Sequence, residues 1–323
     1  MKRIAIRSLV LLSPLLLLVS VFIVMDPLRV IRRYDSPLLT GPLINDRVFQ
    51  RRWLEDKPFP YDGFIMGSSR SKAFLTDSWK PHVPVSHPFH MGVNDETLFG
   101  ILHKLAYLDR KGYEMRSCLL VLDHRILSRT ENPETHLFRE DYRYSREAAT
   151  QFYKYFFMAW LKPGFLKAYW QWKIRGAMDD HYMFAANFGY DRETGDHYYT
   201  MYEEQLRESE DAFYEKYRDV FYDRGDMKTY VPQKVITEKG RYHLTMIYLL
   251  LQKKKCPVKV VIAPWYDQVP LHPDDIALLE KTFGKKNVYD YSGVNPITEN
   301  IRNYYEHKHF RPFVADSILN RIY

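Results

Sequence analysis

The sequence predicts an α/β fold built on a doubly wound parallel sheet, and three observations carry this prediction. Short apolar runs with strand character recur, they contain few polar residues, and helical segments separate them. Strands covered on both faces by helices have nearly continuous apolar sequences, whereas strands with one solvated face alternate. The predicted strands are GFIMG (63–67), SCLLVLD (117–123), VKVVIAP (258–264) and NVYDYS (287–292).

The segments between these strands have the apolar spacing of helices. Residues 95–112 begin with an aspartate before the apolar positions and end with a glycine, as helices commonly do. Residues 236–255 and 272–284 are similar and lead into the third and fourth strands. This order indicates a flavodoxin-like arrangement of three layers, with helices on both faces of the sheet.

The interval from about 128 to 235 interrupts this order. It is rich in Tyr, Phe and Trp and contains helical pieces, so we expect a helical insertion packed over one end of the sheet. Its aromatic residues have two interpretations, as packing in a core or as a lid or acceptor groove for sugar rings. We expect the α/β domain to span 61–323, preceded by a connecting segment at 26–60 that contains a short helix, NDRVFQRRWLE.

The N-terminus predicts a membrane anchor. MKRIAIR is followed by an uncharged run over 9–25, and 17 residues is the lower limit for a span at about 1.5 Å per residue. The run ends in VMDP and not in the small residues of a cleavage site, which favours a signal anchor over a removed signal peptide. We expect residues 1–8 in the cytoplasm and the main domain outside it.

Composition excludes several classes of function. The formal net charge is +7, and the basic residues are interleaved with acidic ones, which disfavours nucleic-acid binding. Cys118 and Cys256 each begin an apolar run, so we expect two buried core residues. Their number and spacing predict neither a disulfide framework nor a metal site, and no cofactor is expected.

The first predicted strand runs directly into Gly67-Ser68-Ser69-Arg70. In one interpretation the glycine ends the strand and a serine caps the next helix. In the other, Ser69 is presented as a nucleophile at the carboxyl edge of the sheet, with Ser68 as the alternative nucleophile. GSSRS lacks the Gly-x-Ser-x-Gly spacing of the α/β-hydrolase nucleophile elbow.

The C-terminal segment supplies a candidate base. Arg311-Pro312 opens a final predicted helix, and Glu306, His307 and His309 come just before it. We expect the helix N-terminus to favour the neutral imidazole of His309, which a general base requires. Glu306 could accept the proton of the other ring nitrogen. These three residues could also be read as metal ligands, but the pattern lacks further partners.

Gly67-Ser68-Ser69 at a strand end and Glu306-x-x-His309 near the C-terminus resemble the SGNH/GDSL hydrolases. The closer resemblance is to their membrane-anchored envelope branch, with the D-alanyl transfer protein of teichoic-acid modification and polysaccharide O-acetyltransferase relatives. It covers about 61–125 and 258–323. It implies Ser69 as nucleophile, His309 as base and Glu306 as the acid that orients the base.

The resemblance also implies an oxyanion hole. The family's second block best matches HMGVNDET, with Asp95 at the usual glycine position and Gly92 close by. The backbone N–H groups of Ser69 and Asp95 would donate to the oxyanion. The candidate oxyanion-hole residues are Ser69, Asp95, Asn94 and Gly92.

One block departs from the family pattern. Where the family has an asparagine that donates to the oxyanion, this chain has VLDHR with Asp123. An ionised carboxylate beside a developing oxyanion would oppose catalysis. We therefore expect Asp123 to pair with Arg70 and position it, while Asn94 serves as the side-chain donor.

Together these features predict serine-dependent acyl transfer or hydrolysis of esters on a cell-envelope glycan or polymer. The expected partners are an acyl donor and the glycan or polymer acceptor, and the resemblance implies a membrane-embedded acyltransferase that hands over the acyl group. The alternative is a non-catalytic SGNH-fold protein of envelope binding or assembly, in which Asp123 has disabled the oxyanion hole.

Overall fold

The computed structural model describes residues 2–34, 40–56, 59–176, 184–186, 189–225 and 227–323. The strands are β1 (Thr40–Pro42), β2 (Gly63–Gly67), β3 (Pro88–His90), β4 (Ser117–Leu122), β5 (Phe184–Ala186), β6 (Gly189–Tyr190), β7 (His197–Tyr198), β8 (Val258–Ile262), β9 (Val288–Asp290), β10 (Tyr304–Glu306) and β11 (His309–Phe310). The helices are α1 (Lys2–Met25), α2 (Asp46–Asp56), α3 (Thr76–Trp79), α4 (Leu98–Arg110), α5 (His124–Ser128), α6 (Tyr142–Ser145), α7 (Ala149–Trp160), α8 (Pro163–Arg175), α9 (Thr200–Glu208), α10 (Glu210–Lys216), α11 (Glu238–Lys253), α12 (Pro273–Phe283), α13 (Pro296–Glu299) and α14 (Pro312–Ile322).

A five-stranded parallel sheet in the order β3-β2-β4-β8-β9 forms the centre of the fold. Counted along the chain, this is the order 2-1-3-4-5 of one common doubly wound sheet. The α/β class is therefore confirmed, and the four predicted strands are present, the first with its predicted bounds and the other three shorter than predicted. β3 was not predicted, because its three residues, PFH, are too few to form a recognisable pattern.

Successive strand residues point to opposite faces of the sheet and so enter two cores. In β2, Phe64 and Met66 pack on one side with α2, α4, α11 and α12. Ile65 packs on the other side with α3 and α14. Both faces are dry, which is why the strand sequences are continuously apolar. The predicted helices over 95–112, 236–255 and 272–284 correspond to α4, α11 and α12.

α2 corresponds to the short helix predicted within the connecting segment 26–60, but it belongs to the main core. Its Phe49, Trp53 and Leu54 are at most 2 % exposed and pack in the core that contains β2 and β4. The apolar residues of α2 lie on the face that packs against the α/β core, as they do in core helices. Residues 46–56 are therefore part of the packed domain and not of a connecting segment.

The insertion packs largely through its aromatic residues. α7 and α8 form a core with the C-terminal end of α1, where Phe22 lies 5.5 Å from the Phe157 ring and 5.6 Å from Trp160. α9 and α10 form a smaller cluster with Tyr305 of β10. Residues 177–183, 187–188 and 226 of the predicted insertion lie outside the described residues. Among the helices described, none has the length and apolar character needed to cross a membrane, so the anchor predicted over 9–25 is not confirmed.

Candidate active site

The candidate nucleophile lies where β2 and β4 end side by side, at the switch in strand order. Ligand sites of open α/β sheets occur at this position. After Gly67 the chain turns sharply into a 3₁₀ segment, Ser69–Ala73, with Ser68 as its N-cap. A Cβ at Gly67 would lie 2.4 Å from the carbonyl oxygen of Val121, so only glycine fits at this turn.

The structure brings Ser69, His309 and Glu306 together in one chain of contacts. His309 Nε2 lies 2.7 Å from Ser69 Oγ, although the two residues are 240 positions apart. Its Nδ1 contacts Glu306 Oε1. A serine, an imidazole and a carboxylate in this order form the geometry of a nucleophile with a general base and an orienting acid.

A two-stranded hairpin, and not the start of the final helix, positions the base. His309 lies in β11, which pairs with β10 so that Glu306 and His309 are register partners. α14 begins only at Pro312. The hairpin is supported from the insertion, because the Tyr199 ring lies 5.2 Å from the His309 ring. We expected the N-terminus of the final helix to favour the neutral imidazole of His309. In the structure, strand pairing positions this residue and burial favours its neutral form.

The electrostatics favour a neutral base beside an ionised acid. Burial lowers the pKa of His309 below its ordinary value, against the opposing effect of Glu306, and Arg70 and Lys72 lower it further. Burial acts to raise the pKa of Glu306, but the hydrogen bond and charge of His309 outweigh it and lower this pKa. At neutral pH the imidazole can therefore accept the Ser69 proton while Glu306 holds Nδ1–H.

A cavity of about 450 Å³ opens beside Ser69. The sheet side contributes Asn94, Asp95 and Arg125, and the insertion contributes residues 135–138. Much of the cavity wall is apolar and consists of the side chains of Leu43, Ile44, Leu137 and Phe138. The cavity is large enough for a small acyl group together with part of an acceptor.

Two candidate oxyanion donors face this cavity, the backbone N–H group of Ser69 after β2 and that of Asp95 in the loop after β3. Asp95 has φ 55°, a left-handed conformation that favours glycine. Among the described residues, the backbone N–H groups of Ser69 and Asp95 have no hydrogen-bond partner. Gly92 instead lies buried against Ser71 and does not line the cavity.

Asn94 is oriented by a buried lysine. Lys72 Nζ lies 2.9 Å from Asn94 Oδ1. A lysine ammonium only donates, so the amide must turn its oxygen towards Lys72 and its NH₂ group away from it. Burial lowers the pKa of Lys72, while Asp46, at 3.5 Å, opposes that shift. Within the described chain the Asn94 NH₂ group has no protein partner, and Asn94 lines the cavity.

α2 holds the same loop, a role that the sequence did not indicate. The buried Arg47 donates to the carbonyl oxygens of Asn94 at 3.0 Å and Asp95 at 3.2 Å. Gln50 donates to the carbonyl oxygen of Gly92 at 2.6 Å. These contacts join residues more than 40 positions apart, so no local pattern reveals them.

Asp123 contacts Arg70 and not the cavity. Its Oδ2 accepts from Arg70 at 2.8 Å and from Ser68 Oγ at 2.7 Å. Its Oδ1 accepts from two backbone N–H groups at the start of α5, where Asp123 is the N-cap. Burial acts to raise the pKa of Asp123, but Arg70 and these hydrogen bonds outweigh it and lower the pKa. Because the Ser68 hydroxyl donates its proton to Asp123, the alternative nucleophile is held in a hydrogen bond away from His309.

A second Ser-His-Asp set lies behind the candidate site. Ser71 Oγ is 3.0 Å from His90 Nε2, and His90 Nδ1 is 3.1 Å from Asp196 Oδ1. These three side chains are at most 2 % exposed, so Ser71 cannot reach a substrate. The set instead ties the turn after β2 to the insertion. It was not predicted, because Asp196 comes from a distant segment.

Comparisons of this chain with protein-family models, curated proteins and solved structures return no match. No group of three or more His, Cys, Asp or Glu side chains in the described part of the chain could hold a metal ion. The chemistry of the site is therefore inferred from its own geometry.

Proposed function

We propose that this protein is an SGNH-like serine enzyme that transfers or hydrolyses acyl esters of a cell-envelope glycan or polymer. Ser69 attacks the acyl carbonyl while His309 takes the hydroxyl proton, and Glu306 stabilises the imidazolium that forms. His309 then returns the proton to the leaving group. Water or an acceptor hydroxyl releases the acyl group from Ser69 by the reverse steps.

The observation that carries this proposal is the 2.7 Å contact between Ser69 Oγ and His309 Nε2 beside an open cavity. A helix-capping serine alone would not need an imidazole at that distance. The backbone N–H groups of Ser69 and Asp95, with the Asn94 amide, are the proposed oxyanion donors. Asp123 pairs with Arg70, so its charge is compensated away from the reacting carbonyl.

Although none of the described helices meets the requirements of a membrane span, we further propose from the sequence that α1 anchors the chain in a membrane, with the main domain outside the cytoplasm. The run over 9–25 contains no charge. Apolar side chains of α1 are exposed in this structure, with Leu11 at 80 %, Leu17 at 65 % and Val24 at 67 %. The exposure of several large apolar side chains on one helix indicates that this helix contacts lipid. A membrane-embedded acyltransferase as acyl donor is the partner that the family resemblance implies.

A fluorophosphonate probe tests the proposed nucleophile. The probe bonds covalently to an activated serine, so we expect it to label the wild type and the Ser68→Ala variant but not the Ser69→Ala variant. Tandem mass spectrometry then places the adduct on one serine of the peptide. Equal labelling of the wild type and the Ser69→Ala variant would contradict the proposal.

Replacing Asn94 with alanine tests the proposed side-chain donor. One lost oxyanion donor typically costs about 3 kcal/mol, so we expect kcat for a nitrophenyl ester to fall about 100-fold. KM should change little, because the donor acts on the transition state and not on the bound ester. An unchanged kcat in a folded Asn94→Ala protein would remove Asn94 from the oxyanion hole.

The alternative is a non-catalytic binding or assembly protein that kept the fold. It is favoured by Asp123, which stands where the family has its side-chain donor. Absence of probe labelling in a folded wild-type protein, with glycan binding intact, would support this alternative.

A further inference from the structure

The outward surface of α8 combines exposed apolar residues with cations. Trp170 and Ile174 are 51 % and 77 % exposed, and the exposed Lys167 lies three positions before Trp170 on the same face. The opposite face, with Phe165 and Tyr169, is buried in the core that α8 forms with α7 and α1. Exposed Trp and Ile on a stable helix indicate a binding surface.

Charge identifies the kind of partner. The segment 148–176 carries five cationic side chains and no carboxylate: Lys154, Lys162, Lys167, Lys173 and Arg175. A basic helix with Trp among its exposed apolar residues suits the boundary between headgroups and acyl chains of an anionic bilayer. Tryptophan suits this depth because its ring is apolar while its N–H group can still be solvated.

The position of α8 points to the same partner. The core beneath it includes Phe22 at the C-terminal end of α1, which contacts Phe157 and Trp160 of α7. The exposed apolar surface of α1 and the exposed residues of α8 are therefore connected through one packed core. A bilayer around α1 would lie close to α8.

We propose that α8 lies along the surface of a bilayer containing anionic lipids, with Trp170 and Ile174 at the base of the headgroups and the flanking cations at the lipid phosphates. This proposal rests on the proposed membrane anchor of α1 but not on the chemistry of Ser69. It has a consequence for that site, because Lys162, immediately before α8, also lines the cavity beside Ser69. Docking of α8 places the cavity next to the membrane surface.

A fluorescent label on α8 tests this in the full-length protein. An Ile174→Cys variant carries an environment-sensitive dye in nanodiscs of phosphatidylcholine, with or without phosphatidylglycerol, and nitroxide-labelled lipids act as quencher. Cys118 and Cys256 are at most 2 % exposed and burial raises both thiol pKa values, so they should not react. The matched control is Leu249→Cys, because Leu249 is 50 % exposed on α11.

With phosphatidylglycerol present, we expect a blue-shifted emission and quenching several-fold stronger at position 174 than at position 249. Glutamine substitutions of Lys167, Lys173 and Arg175 should bring that quenching down to the level seen in phosphatidylcholine alone. Equal quenching at the two positions, or equal quenching at position 174 in both lipid mixtures, would overturn the proposal. A blue shift at position 174 that increases with the number of chains per disc, whatever the lipid, would assign this surface to a second copy of the chain. That result would also overturn the proposal.

Discussion

Replacing Ser69 with alanine is expected to lower the rate of ester cleavage by about 10⁴-fold or more, and replacing His309 as well should lower it no further. The hydroxyl and the imidazole act as one unit, since the base has no proton to take once the hydroxyl is absent. Their 2.7 Å contact is the structural basis of this expectation. The measurement is kcat for a nitrophenyl ester with Ser69→Ala, His309→Gln and the double variant.

The neighbouring histidine provides the control for this experiment. His307 lies two positions before His309, and its ring contacts Glu306 at 3.4 Å, whereas the imidazole at Ser69 Oγ is that of His309. We therefore expect the His307→Gln variant to keep most of the activity. Losses that multiply in the double variant would show that Ser69 and His309 act independently, and the proposed mechanism would fail. Full activity of Ser69→Ala would point to Ser68 or another nucleophile.

The sequence predicted those structural elements that are determined by residues close together in the chain. The strands of the sheet are continuously apolar because helices cover both faces, and α4 has a local apolar stripe, although its N-cap is Thr97 and not the predicted Asp95. The motifs that contain Ser69 and Glu306-x-x-His309 could also be identified in the sequence, since each lies in one short segment. The structure then shows that the two segments meet.

The rest of the site depends on contacts between distant residues. Arg47 would be read as a solvated residue of a surface helix, yet it is 1 % exposed and holds the loop at Asn94 and Asp95. Asp196 is set beside His90 by the fold of the insertion. The position of His309 in a hairpin was missed because β11 has only two residues. Such contacts leave no periodicity in the sequence.

The pairing of Asp123 with Arg70 leads to the largest expected effect on stability. Both side chains are buried, at 3 % and 6 % exposure, and removing one partner of a buried pair typically costs about 3–5 kcal/mol. We expect the Asp123→Asn variant to lose about that much free energy of unfolding at pH 7, measured by urea denaturation. The amide can still cap α5 through its oxygen, so the loss reports the uncompensated Arg70 charge.

The dependence on pH separates this charge effect from a packing defect. The pKa of Asp123 is lowered in the folded state, so its contribution is present above the unfolded value of about 3.9 and is lost as the pH falls through the folded pKa. The deficit of Asp123→Asn should therefore stay constant from pH 8 to about pH 5 and shrink below about pH 4. Replacing Arg70 with methionine in the same chain should recover much of the stability, because no buried charge is then left alone.

An exposed ion pair serves as the reference for the Asp123 measurement. Glu215 and Arg218 are 3.1 Å apart with side chains 72 % and 73 % exposed, and pairs of this kind contribute little. Glu215→Gln should leave the unfolding curve unchanged, which shows that loss of a charge alone does not destabilise the protein. Two outcomes would show that Asp123 does not act by positioning Arg70. The first is an unchanged free energy of unfolding in Asp123→Asn, and the second is a sharp increase of kcat in that variant. The second outcome would place its carboxylate beside the oxyanion, where it opposes catalysis.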